Sequence, residues 1–223
     1  MKKISLYSLS YSVDEDETGV DGNQINDFID PKNDSVKRTD KYQGFYNDFL
    51  GDDFDLKKFS ADEEAKPTDL LSSTYLNQNG FFVSADLVAL LKPFKICCYK
   101  YLDVYIKNLS EKKDYQFLNL IMCPKIDFEK SSFIIENDIT EEQFETVKLT
   151  SLQDYRDKLN KLHSDKSFDF TISPQKLVLH DLCDLFMYEI SGEYLISEEL
   201  KKALEKSKLT GYEIEPFDVD FFH

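Results

Sequence analysis

One local pattern occurs twice in this chain and limits its fold more than any other feature. Phe81-Phe82-Val83-Ser84 leads into Ala85-Asp86-Leu87-Val88-Ala89-Leu90-Leu91, then Phe94-Lys95-Ile96-Cys97-Cys98-Tyr99. Tyr194-Leu195-Ile196-Ser197 leads into Glu198-Glu199-Leu200-Lys201-Lys202-Ala203-Leu204, then Leu209-Thr210-Gly211-Tyr212-Glu213-Ile214-Glu215-Pro216-Phe217. Each copy reads as a strand, a serine-led helix and a second strand. Ser84 and Ser197 stand where an N-cap hydroxyl accepts from an orphan N–H of the first turn. Glu198 and Glu199 fall where the helix dipole favours acids. Gly211 is expected to be a left-handed C-terminal cap. Neither copy has a phosphate-binding loop, so each is a packing unit.

The remaining pattern is strand-rich. Aromatic residues make up 14% of the chain, with 18 Phe, 13 Tyr and no Trp, which suits pleated surfaces. Residues 3–11 read as a first strand and 13–35 as a long loop. The strand after the first helix runs on through Tyr99–Ile106. Lys112-Lys113-Asp114 turns the chain and Tyr115–Met122 returns it. Phe133–Ile135 and Val147–Thr150 are short strands. Leu152, Tyr155, Leu159 and Leu162 recur at helical steps, so 152–162 is a helix. Leu177–His180 reads as a strand, and Ser191-Gly192 as a hairpin turn between Phe186–Ile190 and Glu193–Ile196. The expected class is α+β, a mainly antiparallel sheet with a few helices and two strand–helix–strand units. Residues 1–79 form an acidic N-terminal region and 80–223 the core.

Net charge is −16. Residues 14–69 hold 17 acidic and 7 basic residues, a net of −10, so the other 167 residues carry −6. This argues against nucleic acid or an anionic membrane as partner and suits a basic protein. Serines interrupt the apolar N-terminal stretch, so it is a poor signal peptide, and no apolar run reaches membrane-spanning length. Cys97, Cys98, Cys123 and Cys183 lack metal-binding spacing and are expected to be reduced thiols of a cytoplasmic protein.

Chemical motifs are weak. Asp14-Glu15-Asp16-Glu17-Thr18-Gly19 begins like a calcium loop, but position twelve is Ile25, where a bidentate Glu is needed. His180, Cys183 and Asp184 are close in sequence, yet a strand there would separate a thiol–imidazole pair. Adding His163 and Asp181 gives a loose metal set without a ligand core. The 7 glycines form no nucleotide-binding or nucleophile-elbow motif. No cofactor, metal or catalytic residue is therefore expected. The stretch 42–56 alternates aromatics with acids. Phe45, Phe49 and Phe54 can anchor the region to the core. Alternatively, Tyr46 and Phe54 are contact anchors while Asp48, Asp52, Asp53 and Asp55 supply charge complementary to a basic partner.

Residues 80–219 carry a resemblance. The stretch Tyr194–Phe217, with its Ser-x-x-Leu-x-x-Ala-Leu helix and Leu-Thr-Gly turn, resembles the C-terminal signature of immunity protein family eleven of bacterial polymorphic toxin systems. Tyr115–Leu120 followed by Ile126–Ser131 is similar to the centre of that family. The resemblance implies a cytoplasmic protein that binds a cognate toxin and blocks it by stoichiometric occlusion, with no catalytic residues. Its rivals are an acidic nucleic-acid mimic that inhibits a DNA-binding protein, and an enzyme without a local signature. Should 42–56 not carry the contact, the Tyr-rich strand Tyr99–Ile106 is the next surface, as a sheet edge.

Overall fold

The structure, a computed structural model, describes residues 1–28, 59–73, 80–122, 125–140 and 142–223. Its elements are β1 (Lys3–Ile4), β2 (Leu6–Tyr11), α1 (Glu15–Thr18), β3 (Ile25–Phe28), β4 (Phe59–Ala61), β5 (Leu70–Leu71), β6 (Gly80–Ser84), α2 (Ala85–Leu91), β7 (Tyr99–Asp103), β8 (Ile106–Lys107), β9 (Tyr115–Leu120), β10 (Ser132–Asn137), β11 (Gln143–Val147), α3 (Leu152–Asp165), β12 (Phe170–Val178), β13 (Leu185–Met187), β14 (Tyr194–Ser197), α4 (Glu198–Lys206), β15 (Tyr212–Pro216) and β16 (Asp220–Phe222). The class is α+β with mainly antiparallel pairing.

The sequence repeat is a structural repeat. One sheet has the order β5-β6-β9-β7 and another the order β13-β14-β2-β15. In each, the strand before the helix and the strand after it flank a central antiparallel strand. The central strand is β9 in the first unit. In the second it is β2, which arrives from the opposite end of the sequence. The outer pairings match in register: Leu70 faces Val83 and Leu185 faces Ile196. Both sheets therefore span the sequence boundary at residue 79, through β2 and β5.

The two sheets grip each other at two seams. Asp69 and Leu70 N–H groups donate to the Thr210 carbonyl at 2.9 and 3.1 Å. Reciprocally, Asp184 N–H donates to the Lys95 carbonyl at 2.7 Å and Cys97 N–H to that of Leu185 at 2.9 Å. The two sheets are thus hydrogen-bonded to each other at two places, just before β15 and just before β7. Strand alternation sorts the side chains. Phe81, Val83, Tyr194 and Ile196 point inward to one core with Leu87, Leu91, Leu200 and Leu204 of the two helices. Equivalent residues Phe81 and Tyr194 meet there with ring centroids 4.3 Å apart. The interior space is about 10 Å³ and entirely apolar, enough for one water at most and without polar partners for it.

The outer faces are covered too. Phe82 and Phe117 pack against the sheet β3-β4-β8, while Phe186 and Leu195 pack against the sheet β1-β16-β12-β10-β11 and α3. Burial on both faces explains why β6 and β14 read as nearly unbroken apolar runs.

Several expectations are corrected. The loop at 13–35 contains α1, capped by the Asp14 side chain and closed by left-handed Gly19, and β3, whose Ile25 is fully buried. The second strand of the first unit starts at Tyr99, because Lys95–Cys97 form the seam and Cys98 turns with φ 47°. It stops at Asp103; Ile106 belongs to β8, which pairs in parallel with β4. β11 ends at Val147, and Lys148–Thr150 lead to Ser151, the cap of α3. Gly211 is not a helix cap: α4 ends at Ser207, and Gly211 (φ 87°) lies against β5. Finally, Cys98 is disulfide-bonded, whereas Cys97 and Cys183 are free and buried. Cysteine spacing gave no sign of this. Cys123 lies outside the described residues.

Candidate interaction surface

At one end of the β12-β10-β11 sheet, two polar turns lift apolar side chains into water. In the β10–β11 turn, Asn137 Oδ1 accepts from the N–H groups of Ile139 and Thr140, both at 2.9 Å. In the α3–β12 turn, Ser167 Oγ donates to Asp169 Oδ2 at 2.9 Å and accepts from Asp169 N–H at 3.2 Å. Asp138 N–H donates to the Asp169 carbonyl at 2.8 Å and ties the turns together. Ile139 is left 74% exposed and Phe168 83%. Phe144, 44% exposed, stands on β11, which among the described residues pairs with β10 alone, and its ring meets that of Phe170 at 5.4 Å. Lys166 Nζ sits 4.9 Å from the Phe144 ring centre and 4.7 Å from that of Phe170, where the ring faces attract a cation. A groove of about 350 Å³ opens between β11 and α3, with Ile135, Leu162 and Ile172 in its floor and Lys158, Lys161 and Glu145 on its rim. The groove reaches the α3–β12 turn through Lys166, and strongly exposed apolar side chains on two adjoining turns mark a candidate protein-binding surface.

The sequence reading missed this patch. The available signal was an aromatic at the centre of Ser167-Phe168-Asp169, where turn chemistry leaves an apolar side chain no interior to enter. The residues put forward for the contact, Tyr46, Asp48, Asp52, Asp53, Phe54 and Asp55, lie outside the described residues, as do Phe45 and Phe49. Part of the second surface is at an edge: among the described residues β7 pairs with β9 alone. Tyr99 is 43% exposed and its ring meets Tyr101 edge-on at 5.5 Å. Burial, with Tyr99 beside it, pushes the Tyr101 hydroxyl up to about 12. Tyr105, 40% exposed, donates to Glu111.

The chemically suggestive residues are not assembled into one site. His180 Nδ1 stands 3.7 Å from Asp127 Oδ2, His163 Nε2 is 3.0 Å from the Phe170 carbonyl, and Asp181 pairs with Lys95 at 2.7 Å. Asp184 accepts from Ser197 Oγ at 2.7 Å and from Lys95 N–H at 2.8 Å. The Cys183 thiol is buried, and burial together with the adjacent Cys97 raises it to about 11, which makes it a poor nucleophile. Among the described residues no three of His, Cys, Asp and Glu converge to hold a metal ion. Nor is any described helix long and apolar enough to cross a membrane. One buried acid escaped the sequence reading. Glu189 Oε1 accepts from the N–H groups of Ile126 at 2.8 Å and Lys125 at 3.4 Å, while Oε2 has no hydrogen-bond partner among the described residues.

No family model matches this chain, and no curated protein matches it.

Proposed function

We propose that this protein is an immunity protein that binds a cognate toxin domain in the cytoplasm and blocks it by stoichiometric occlusion. The observation that carries the reading is the Ile139–Phe144–Phe168 patch. Ile139 and Phe168, held out by polar turns, bury little in the isolated chain, Phe168 making one ring contact with His163 at 4.9 Å between centroids; a partner that covers them gains the burial. The net charge of −16 favours a basic partner and speeds the encounter. The resemblance over residues 80–219 supplies the kind of partner.

Co-expression with the product of the neighbouring toxin gene tests this. The toxin domain should co-purify and its activity should end at one equivalent of inhibitor. Ile139→Ser with Phe168→Ser should leave the urea midpoint nearly unchanged, because both side chains already face water. It should cost about 2 kcal/mol of binding, roughly thirtyfold in Kd, mostly through faster dissociation. An unchanged Kd moves the contact elsewhere. Failure to capture or inhibit the toxin rejects the function.

A further inference from the structure

The internal repeat leaves a second open edge, and its chemistry differs from that of β7. Among the described residues β15 pairs only with β2. Along it stand Glu213 and Glu215, with Val13, 58% exposed, donating its N–H to Glu213 Oε1 at 3.2 Å. Next to the edge a pocket of about 350 Å³ opens over β14, β2 and β15, with Glu193 and Glu215 in its wall. Its floor is apolar: Leu9, Phe81 and Tyr194 are at most 7% exposed. Leu9 and Phe81 also line the small apolar space between the two sheets, so the pocket lies at its rim. Glu193 accepts from Ser191 Oγ, and among the described residues no cation stands within ion-pair range of Glu193, Glu213 or Glu215. This contrasts with α4, where Glu198 and Glu205 are each matched by a lysine four residues away.

We propose that β15 and this pocket receive an extended basic segment of the partner protein, which adds as a strand to β15 and sends one Arg or Lys side chain into the pocket. This rests on the binding function proposed above and names the part of the partner that docks. Charge selects the occupant: Glu213 and Glu215 on β15 and Glu193 beside β14 across the pocket, without a cation among the described residues, repel an acidic strand, a second copy of this chain included, and attract a basic one. Size and lining fit as well. The methylene stem of a long cationic side chain packs on the Leu9–Phe81–Tyr194 floor while its head reaches Glu193 and Glu215. Backbone pairing along the edge supplies affinity and the pocket supplies selectivity, which is how strand addition works.

The probe is a synthetic peptide of alternating Arg and Val, titrated by NMR into the full chain. Amide shifts are expected at Ser8–Tyr11, Glu193 and Tyr212–Glu215. Affinity should fall at least tenfold with Glu193→Gln and Glu215→Gln together, and likewise with a peptide N-methylated at alternate residues, which cannot complete the ladder. A Glu–Val peptide should not bind. Shifts spread over the whole acidic surface, or equal affinity for the variant, overturn the proposal, as does the absence of any shift. A peptide that binds as described while no toxin is captured removes the toxin reading and leaves the docking edge. Undiminished toxin capture by a variant that has lost the peptide removes the edge as the toxin contact and leaves the function.

Discussion

Ser84 and Ser197 each serve two partners. Each hydroxyl accepts a cap bond, from Leu87 N–H at 3.1 Å or Leu200 N–H at 3.2 Å, and each donates to an aspartate, Asp69 just before β5 or Asp184 just before β13. The aspartates then hold the opposite unit, Asp69 at Thr210 N–H and Asp184 at Lys95 N–H. Removing either hydroxyl costs the cap, about 1 kcal/mol. The two variants should nonetheless differ. Asp69 is 3% exposed and its Oδ1 keeps only Lys113 Nζ once the hydroxyl is gone, whereas Asp184 is half-buried and more open to water. Ser84→Ala should cost about 2 kcal/mol and Ser197→Ala about 1, read from urea midpoints. Equal costs would mean that the aspartates do not depend on these hydroxyls. Glu189 offers a test through pH. Burial raises its pKa above the ordinary 4.5, against the pull of the Ile126 and Lys125 N–H groups. The folded state therefore holds the proton more tightly than the unfolded chain. This is neutral below about pH 4.5 and destabilises progressively as pH rises to the folded pKa, beyond which the loss is constant. Glu189→Gln keeps the accepting oxygen and removes the charge. The variant should match the parent in acid and exceed it in stability at pH 7–8; parallel profiles from pH 4 to 8 would show that the carboxyl is not strained by burial.

At the scale of elements, the contacts between units matter more than the helices themselves. Gly211 shows why. A Cβ there would lie 2.2 Å from the Leu70 carbonyl oxygen and 2.6 Å from Thr68 Cβ, at a φ of 87°. Gly22 also has positive φ, 111°, but a Cβ would meet nothing within 4 Å. Gly211→Ala should thus cost about 2–4 kcal/mol, strain plus a forced seam, while Gly22→Ala should cost about 1 for the backbone alone. Similar losses in thermal melts would mean that the seam yields easily. The same contrast marks what the sequence could tell. Both serine caps, the α3 periodicity and the Ser191-Gly192 hairpin were legible, because each is encoded within a few residues. The first strand of each unit was legible for the same reason. The seams were not, since Asp69 finds Thr210 and Asp184 finds Lys95 across long stretches of chain with no periodic signal. Lys95–Cys97 look like strand residues and are, but they pair with Leu185 and not within their own sheet. Glu189 and the Cys98 disulfide were hidden for the related reason that burial and pairing of a single group follow from tertiary placement. Of the candidate surface, β7 was visible through its tyrosines; Phe168 carried only the local signal of its polar turn, and Ile139, a lone apolar residue in a turn, carried none.

The whole molecule raises the question of why β2, so far from its unit in sequence, occupies the same place as β9. In the first unit the order along the chain is β5, β6, α2, β7, then β9 after the short β8. In the second it is β13, β14, α4, β15, with the central strand supplied from residues 6–11. Joining residue 223 to residue 1 would give both units the same order. The geometry permits it. β1 and β16 are antiparallel neighbours, and Lys2 and His223 exchange backbone hydrogen bonds at 2.8 and 3.0 Å, as across a hairpin. A short Asn-Gly-type turn can span that gap. A circular permutant opened between Lys166 and Ser167, in the exposed turn after α3, should therefore fold cooperatively. Its stability should lie within about 2 kcal/mol of the parent, because every sheet pairing is retained and only one exposed turn is cut. Deleting residues 1–11 should behave quite differently. That deletion removes the central strand between β14 and β15 and exposes both, so the second unit should not fold, and the reciprocal seam should take the first unit with it. Far-UV circular dichroism and urea melts of the two proteins decide the matter. A permutant that fails to fold would show that the link between β16 and β1 is strained, and a truncated chain that melts like the parent would show that β2 is an accessory to the second sheet and not its centre.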